Sequence, residues 1–426
     1  MRAPLADRPA PIGSRRVTEP ERRLRIAFVY DGLVPFTAGG GERRYHELAT
    51  RLAERHEVHH VSWRFWGPEA SVVRDGVVYH GVGFPRQFYG QDGKRTIRGA
   101  AEFALRIIPL LARLRVDVVD ASATPYLPLY GAWLATRASR TPLVATWHEF
   151  WGRHWATYLP DRPLVARFAR LVEAGARPLG DRRVAVSAFT ARRLAGREDV
   201  SGSRTTAVVG NGVDVAAIQA AEPDPERFDV LHVGRLIDEK RVDLLVRAVA
   251  AAAGDVPGIR CGIVGDGPEA VSLRALAGSL GIADRVTFLG RVPAERVPRL
   301  LRSARVLALP SAREGYGIVV VEGQAAGAVP IVARSPFSAA PDLVTDGVDG
   351  LVADPTVDGF AAALTRLLAD DVRREGLAAA ARIAARRRSW DERVAEMERL
   401  YQAVASRREP RARRRQVAPV IGEADC

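Results

Sequence analysis

Two carboxylates eight residues apart, Glu314 and Glu322, bracket a segment that changes from loop formers to an apolar helix: Pro310-Ser-Ala-Arg-Glu-Gly-Tyr-Gly-Ile-Val-Val-Val-Glu322. Glu314 reads as a loop residue. Glu322 follows three valines and precedes Gly323-Gln-Ala-Ala-Gly327, a setting where an ionised group is costly unless it is paired or hydrogen-bonded. Ligand hydroxyls and a partner inside the fold both answer that demand. The helix opening near Gly317 offers free backbone amides and a positive dipole end, which suits a phosphate. A purely structural account also exists, in which Glu314 complements the helix dipole.

A second candidate lies near the start of the chain, where Gly39, Gly40 and Gly41 follow an apolar run. The triplet permits close backbone approach to a ligand or serves only a tight turn, and it lacks the spacing of a dinucleotide fingerprint. His148 follows another apolar run, 142–146, and leads into a loop rich in aromatics: Phe150, Trp151, Trp155 and Tyr158, with Trp147 just ahead. Those rings could stack on a sugar, meet a lipid tail or simply pack. His154 is the weaker histidine candidate, and no metal-ligand spacing emerges from the pair. No Asp-x-Asp triplet occurs, so metal-held phosphate chemistry is not expected.

These residues need elements to position them. Apolar runs at 24–30, 57–62, 77–82, 116–120, 142–146 and 183–186 alternate with helical patterns, the first of them at 42–55, and this predicts a mostly parallel sheet. A second series follows at 229–233, 260–264, 286–289, 306–309 and 329–332. Between them, 199–225 collects Ser, Gly, Asp and Pro around a short apolar strand at 207–209, so the hinge is placed there. The expected organisation is a tail over 1–22, a first α/β domain over 23–202, a second over 203–388, an amphipathic helix over 389–405 and a basic tail over 406–426. Trp390, Val394, Met397, Leu400, Tyr401 and Val404 give that last helix its apolar stripe. Two such domains leave a cleft at the carboxyl ends of both sheets, where open α/β sheets bind ligands.

The 426 residues carry 63 Lys and Arg against 50 acids, a formal charge of +13. Such a surface steers anionic partners: lipid headgroups, nucleic acid or phosphorylated substrates. With Cys261 in an apolar run and Cys426 last, no disulfide framework is implied. The N-terminal stretch lacks the apolar segment of a signal peptide, and no run reaches membrane-spanning length. A cytoplasmic protein is expected, with peripheral contact to the inner face of an anionic membrane as a further expectation.

The Glu314 to Glu322 segment resembles the Glu-x7-Glu motif of the retaining glycosyltransferases of family 4. Val209-Gly-Asn-Gly-Val-Asp214, His232-Val-Gly-Arg-Leu-Ile-Asp-Glu-Lys-Arg-Val-Asp243, Ile263-Val-Gly-Asp-Gly-Pro268 and Val286-Thr-Phe-Leu-Gly-Arg-Val292 are similar to that family's other motifs, in the same order. The resemblance runs from about residue 24 to 405. It implies the GT-B fold, two Rossmann-like domains facing a central cleft, with the last helix crossing back to the first domain. It also implies that Arg235 and Lys240 bind the donor diphosphate, where fixed cations stabilise a leaving group as it gains charge. Glu322 then holds the ribose hydroxyls and Glu314 contacts the donor sugar. Gly317, Ile318 and Val319 lie along the donor with Val292, Gly39, Gly40 and Gly41 admit the diphosphate, and His148 sits by the transferred sugar.

The implied reaction moves a hexosyl unit from a GDP-mannose or UDP-glucose type of donor to a glycan, lipid or small-molecule acceptor, retaining configuration, with no cofactor and no metal. Departures are small: Gly210 where Pro is common, Tyr316 for the usual Phe, and Gly323-Gln324 for Ala-Met. They leave donor preference open. A nucleotide-sugar epimerase of the same architecture calls for a different carboxylate and histidine set. A nucleic-acid-binding protein calls for aromatic-basic motifs that are missing, so nucleic acid is not an expected partner.

Overall fold

The computed structural model describes residues 22–37, 39–85, 96–196 and 206–406. Residues 1–21 of the expected N-terminal tail (1–22), most of the basic C-terminal tail (407–426) and part of the hinge (199–205) lie outside the described residues. The first sheet contains β1 (Arg25–Val29), β2 (Glu57–Ser62), β3 (Ser71–Arg74), β4 (Val77–Gly81), β5 (Val118–Ser122), β6 (Leu143–Trp147), β7 (Arg182–Ala185) and β8 (Thr206–Val208). Their order is β3-β4-β2-β1-β5-β6-β7-β8, parallel throughout except for β3, which runs antiparallel to β4. The second holds β9 (Phe228–Val233), β10 (Cys261–Val264), β11 (Val286–Gly290), β12 (Ala304–Leu309), β13 (Val329–Ala333) and β14 (Leu351–Ala353), ordered β11-β10-β9-β12-β13-β14. All its pairings are parallel.

Strands such as β1, β5 and β6 are buried on both faces because helices cover the sheet on each side, which is why they read as continuous apolar runs. In each sheet the strand order reverses at the first strand of its series: β1 lies between β2 and β5, and β9 between β10 and β12. That reversal opens the crevice in which α/β sheets take ligands.

Three details differ from the sequence reading. β8 falls in the stretch assigned to the second domain from residue 203, yet it pairs with β7 in the first sheet. The first helix starts at Gly40, so Gly40 and Gly41 form its opening turn, and only Gly39, in extended backbone, precedes it. β3 and β14 went unread: β3 is a short exposed edge strand, and its signal was the turn Asp75-Gly76 joining it to β4, both residues at positive φ.

The final helix, Trp390–Ser406, returns to the first domain. Val394, Met397 and Tyr401 are buried in the cluster that contains Tyr45, Leu48 and Phe28. The Tyr401 hydroxyl donates to Asp120 Oδ2 at 2.7 Å, while Thr146 and Tyr45 donate to Oδ1 at 2.7 and 3.1 Å. Glu398 accepts from Arg55 at 2.6 Å and from His56 Nε2 at 2.7 Å. Leu24 N–H donates to His56 Nδ1, so a neutral His56 with its proton on Nε2 satisfies both contacts. Tyr401→Phe should cost about 1–3 kcal/mol, the loss of a hydrogen bond to a buried carboxyl group. Urea unfolding checks this; an unchanged midpoint would mean that the hydroxyl contact does not fasten the helix.

Candidate active site

The second-domain wall is built at the carboxyl ends of β9, β10 and β12. After β9 the chain turns through Gly234 to the short 3-10 turn Asp238–Lys240. Gly265, at φ 132°, lies so close to this loop that a Cβ there would stand 1.8 Å from the Gly234 carbonyl oxygen, and one on Gly267 would stand 2.3 Å from that of Leu236. The glycines are therefore required by loop-on-loop packing. Lys240 Nζ donates to Glu314 Oε1 at 2.5 Å. The Glu314 backbone carbonyl accepts from Ala339 N–H at 2.8 Å, which fixes the loop carrying the carboxylate.

Gly317, at φ 93° and ψ 52°, opens the helix Ile318–Ala326, which ends at Gly327, also left-handed. Glu322 is buried on that helix and ion-paired with Arg43, which projects from the helix Gly40–Ala53 of the first domain. The pairing that an apolar setting demanded thus comes from across the cleft. Burial works against the Arg43 charge, yet the Glu322 carboxylate holds the guanidinium pKa above its usual value. The contact also places the glycine-started helix opposite the Glu322 helix.

Other contacts close the same cleft. Arg313 pairs with Glu149, and Arg192 with Asp342 at 2.7 Å. Ser187 Oγ donates to the Gly315 carbonyl oxygen at 2.9 Å. A Cβ on Gly315 would stand 2.4 Å from the His148 carbonyl oxygen, so only glycine allows the second-domain loop this near the first. Partial burial raises the Glu149 carboxyl pKa, Arg313 opposes that, and Glu314 and Glu239 reinforce it.

The structure therefore brings together Lys240 with Glu314, Gly315 with His148, and Glu322 with the helix that begins at Gly39 to Gly41. The His148 ring lies 6.1 Å from Tyr30 and 5.9 Å from Tyr45, centroid to centroid. Arg235 is exposed, with no side-chain contact shown to the other site residues. Val292 is half-buried against the second-domain core. In the loop after His148, Trp147 is fully buried in the core and Trp151 stacks on Trp155 at 4.9 Å, so packing accounts for much of the aromatic content. The His154 ring meets Phe337 of the second domain at 3.7 Å. The side chain of Tyr158 lies outside the described residues.

Sequence reasoning missed Arg43, Glu149, Arg313 and Glu173. Glu173, fully buried, accepts from the backbone N–H groups of Trp151 and Gly152, both at 2.6 Å, and from the Tyr126 hydroxyl at 2.5 Å. It ties the loop after His148 to the helix Pro163–Ala176. Its signal was the one acid in that helix's otherwise apolar and basic sequence.

Two family models match adjoining stretches of the chain. Glycosyltransferase Family 4 covers residues 38–217, and Glycosyl transferases group 1 covers residues 216–384. The chain belongs to the family 4 glycosyltransferases.

Among the chain's relatives, the D-inositol 3-phosphate glycosyltransferase of Salinispora tropica is 35% identical over 317 residues, covering 65% of this chain and 62% of the relative. The GDP-mannose-dependent alpha-(1-6)-phosphatidylinositol monomannoside mannosyltransferase of Mycolicibacterium smegmatis is 39% identical over 166 residues, covering 37% of this chain and 43% of the relative. In both cases the matched region spans less than two thirds of the relative's length. Among solved structures, HepE of Anabaena in complex with UDP and glucose superposes with a TM-score of 0.69 at 20% identity, over 89% of this chain and 100% of that one. Sucrose-phosphate synthase from Thermosynechococcus elongatus gives a TM-score of 0.72 at 18% identity, over 90% and 100%. At such identities the likeness shows the fold, which is GT-B.

Proposed function

We propose that this family 4 chain transfers a hexosyl unit from a nucleotide-diphosphate sugar to a glycan, lipid-borne or small-molecule acceptor, with retention of configuration and without a metal. The observation that carries this reading is the pairing of Lys240 with Glu314 at 2.5 Å beside the free amide end of the Gly317 helix. A cation and oriented N–H groups converge where a departing diphosphate would gather charge. Lys240 and the exposed Arg235 hold that diphosphate, Gly317, Ile318 and Val319 flank it, and Gly39 to Gly41 let it approach the first domain. Glu322 receives the ribose hydroxyls through Oε2 while Arg43 occupies Oε1. Glu314 and His148 contact the sugar from opposite domains. Catalysis then rests on positioning and on charge stabilisation of the leaving group, since Glu322, assigned here to the ribose, leaves Glu314 without the second carboxylate that a glycosidase pair requires.

The relatives' names support a nucleotide-sugar donor: one is GDP-mannose-dependent, and HepE carries UDP and glucose. The reading includes a cytoplasmic protein that works at an anionic membrane face. Among the described residues no helix is long and apolar enough to cross a membrane.

The test is a thermal-shift screen with UDP-, GDP- and ADP-sugars, with and without EDTA, on wild type and Glu322→Ala. One nucleotide class should raise Tm, EDTA should not change the shift, and the variant should lose it. No shift with any class would sink the assigned donor chemistry. A shift abolished by EDTA would sink metal independence.

A further inference from the structure

The helix Pro163–Ala176 turns an apolar face to solvent. Leu164 is 78% exposed, Phe168 57% and Leu171 70%, and their spacing places all three on one stripe. A surface helix ordinarily buries such a stripe, so large side chains left uncovered together mark a contact surface. On the neighbouring helix Tyr126–Ser139, Leu134 is also 52% exposed. The two helices are joined where the Tyr130 hydroxyl donates to the Val172 carbonyl oxygen at 2.7 Å.

The exposed charges on the helix itself are all basic. Arg162, Arg167 and Arg170 are exposed on or next to this helix, and Arg137 is exposed on the neighbouring one. The only acid within Pro163–Ala176 is Glu173, which is fully buried on the opposite face; Asp161 stands just ahead of the helix. Apolar side chains flanked by arginines suit a surface that offers acyl chains below a layer of negative headgroups. A soluble protein partner would have to match the apolar stripe and the basic flank at once, and a second copy would bring arginine against arginine. Charge complementarity therefore selects one occupant.

We infer that the outer face of the helix Pro163–Ala176 docks the protein on an anionic lipid bilayer. The inference rests on the transferase reading and narrows its acceptor to the lipid-borne class. The link to the site is direct. The same helix holds Trp151 and Gly152 through Glu173 at 2.6 Å, so a docked helix sets the loop after His148 just above the membrane surface, where a headgroup acceptor arrives.

The test is co-sedimentation of the full chain with vesicles of phosphatidylcholine alone and of equal parts phosphatidylcholine and phosphatidylglycerol, for wild type, L164S/F168S/L171S and R167Q/R170Q. Wild type should bind only the anionic vesicles. The triple variant should bind at least tenfold more weakly, and the arginine pair should weaken binding and flatten its salt dependence. Both variants should keep wild-type circular dichroism and the wild-type thermal shift with donor, because none of these residues touches the donor cleft. Undiminished binding by the triple variant would overturn the inference and assign any attraction to other basic segments, such as Arg413 to Arg415. So would a wild-type dimer in sedimentation that the triple variant dissolves, since the stripe would then be a self-contact. Normal vesicle binding with no donor shift would instead defeat the transferase reading and leave the docking surface standing.

Discussion

Lys240→Ala should lower kcat by about 100- to 1,000-fold, roughly 3–4 kcal/mol, the scale on which one fixed charge or donor at a developing anion contributes to catalysis. The charge matters in the transition state more than in the ground state, because negative charge accumulates on the departing diphosphate as the sugar bond breaks. The loss should therefore fall mainly on kcat, with KM moving less. Lys240 also neutralises Glu314 at 2.5 Å, so the single variant leaves a carboxylate uncompensated beside the incoming donor. Glu314→Gln and the double variant separate the two effects: if leaving-group stabilisation dominates, adding Glu314→Gln to Lys240→Ala restores little. Arg235→Ala should cost less, since Arg235 is exposed to solvent and screened accordingly. A Lys240→Ala enzyme within tenfold of wild type would mean that the charge of the leaving group is met elsewhere, with Arg43 the first place to look.

The fold was legible where the chain carries its own period. Buried strands of four to six residues such as β9 and β12 announce themselves as apolar runs, and the strand and helix alternation fixes the class. β3 was not legible by that route because an edge strand exposed on its outer side needs no apolar face. The candidate site was legible where motif and local geometry coincide: Glu314 in a loop and Glu322 on an apolar helix. Its cross-cleft partners were not. Arg43 and Glu322 are 279 residues apart, and nothing in either neighbourhood says that a first-domain helix will supply the counter-charge. Glu149 and Arg313 present the same problem. The boundary at 203 missed for a related reason, since β8 is a three-residue strand whose allegiance is decided by hydrogen bonds to β7 and not by its own sequence.

Acid should destabilise the protein through two buried imidazoles, one in each domain. Burial pushes the His232 pKa down to about 4, aided by Lys240, and pushes that of His60 down to about 3, aided by His46. His60 lies between aromatic rings, Tyr79 at 5.5 Å and Tyr45 at 6.2 Å. His232 faces the Ala308 carbonyl oxygen at 3.0 Å through Nδ1, which the neutral ring meets as donor, while Nε2 has no hydrogen-bond partner among the described residues. In both cases the folded pKa lies below the unfolded one, so the unfolded chain takes protons that the native state refuses. Stability is then intact above about pH 6.5 and is lost as pH falls from there toward the folded values, by about 2 kcal/mol per ring at pH 5. Against a total of about 5–15 kcal/mol that is a large share. Urea unfolding at pH 7.5 and pH 5 measures the loss, and His232→Asn, whose side-chain amide can still donate to Ala308, should remove the His232 share, about 2 kcal/mol. Equal pH dependence in wild type and variant would show that His232 accepts its proton without penalty. That outcome would also bear on the site: a Cβ on Gly234 would stand 3.2 Å from His232 Nε2, so this ring underlies the loop that carries Lys240, and a second positive charge there would act against the cation proposed to meet the leaving group.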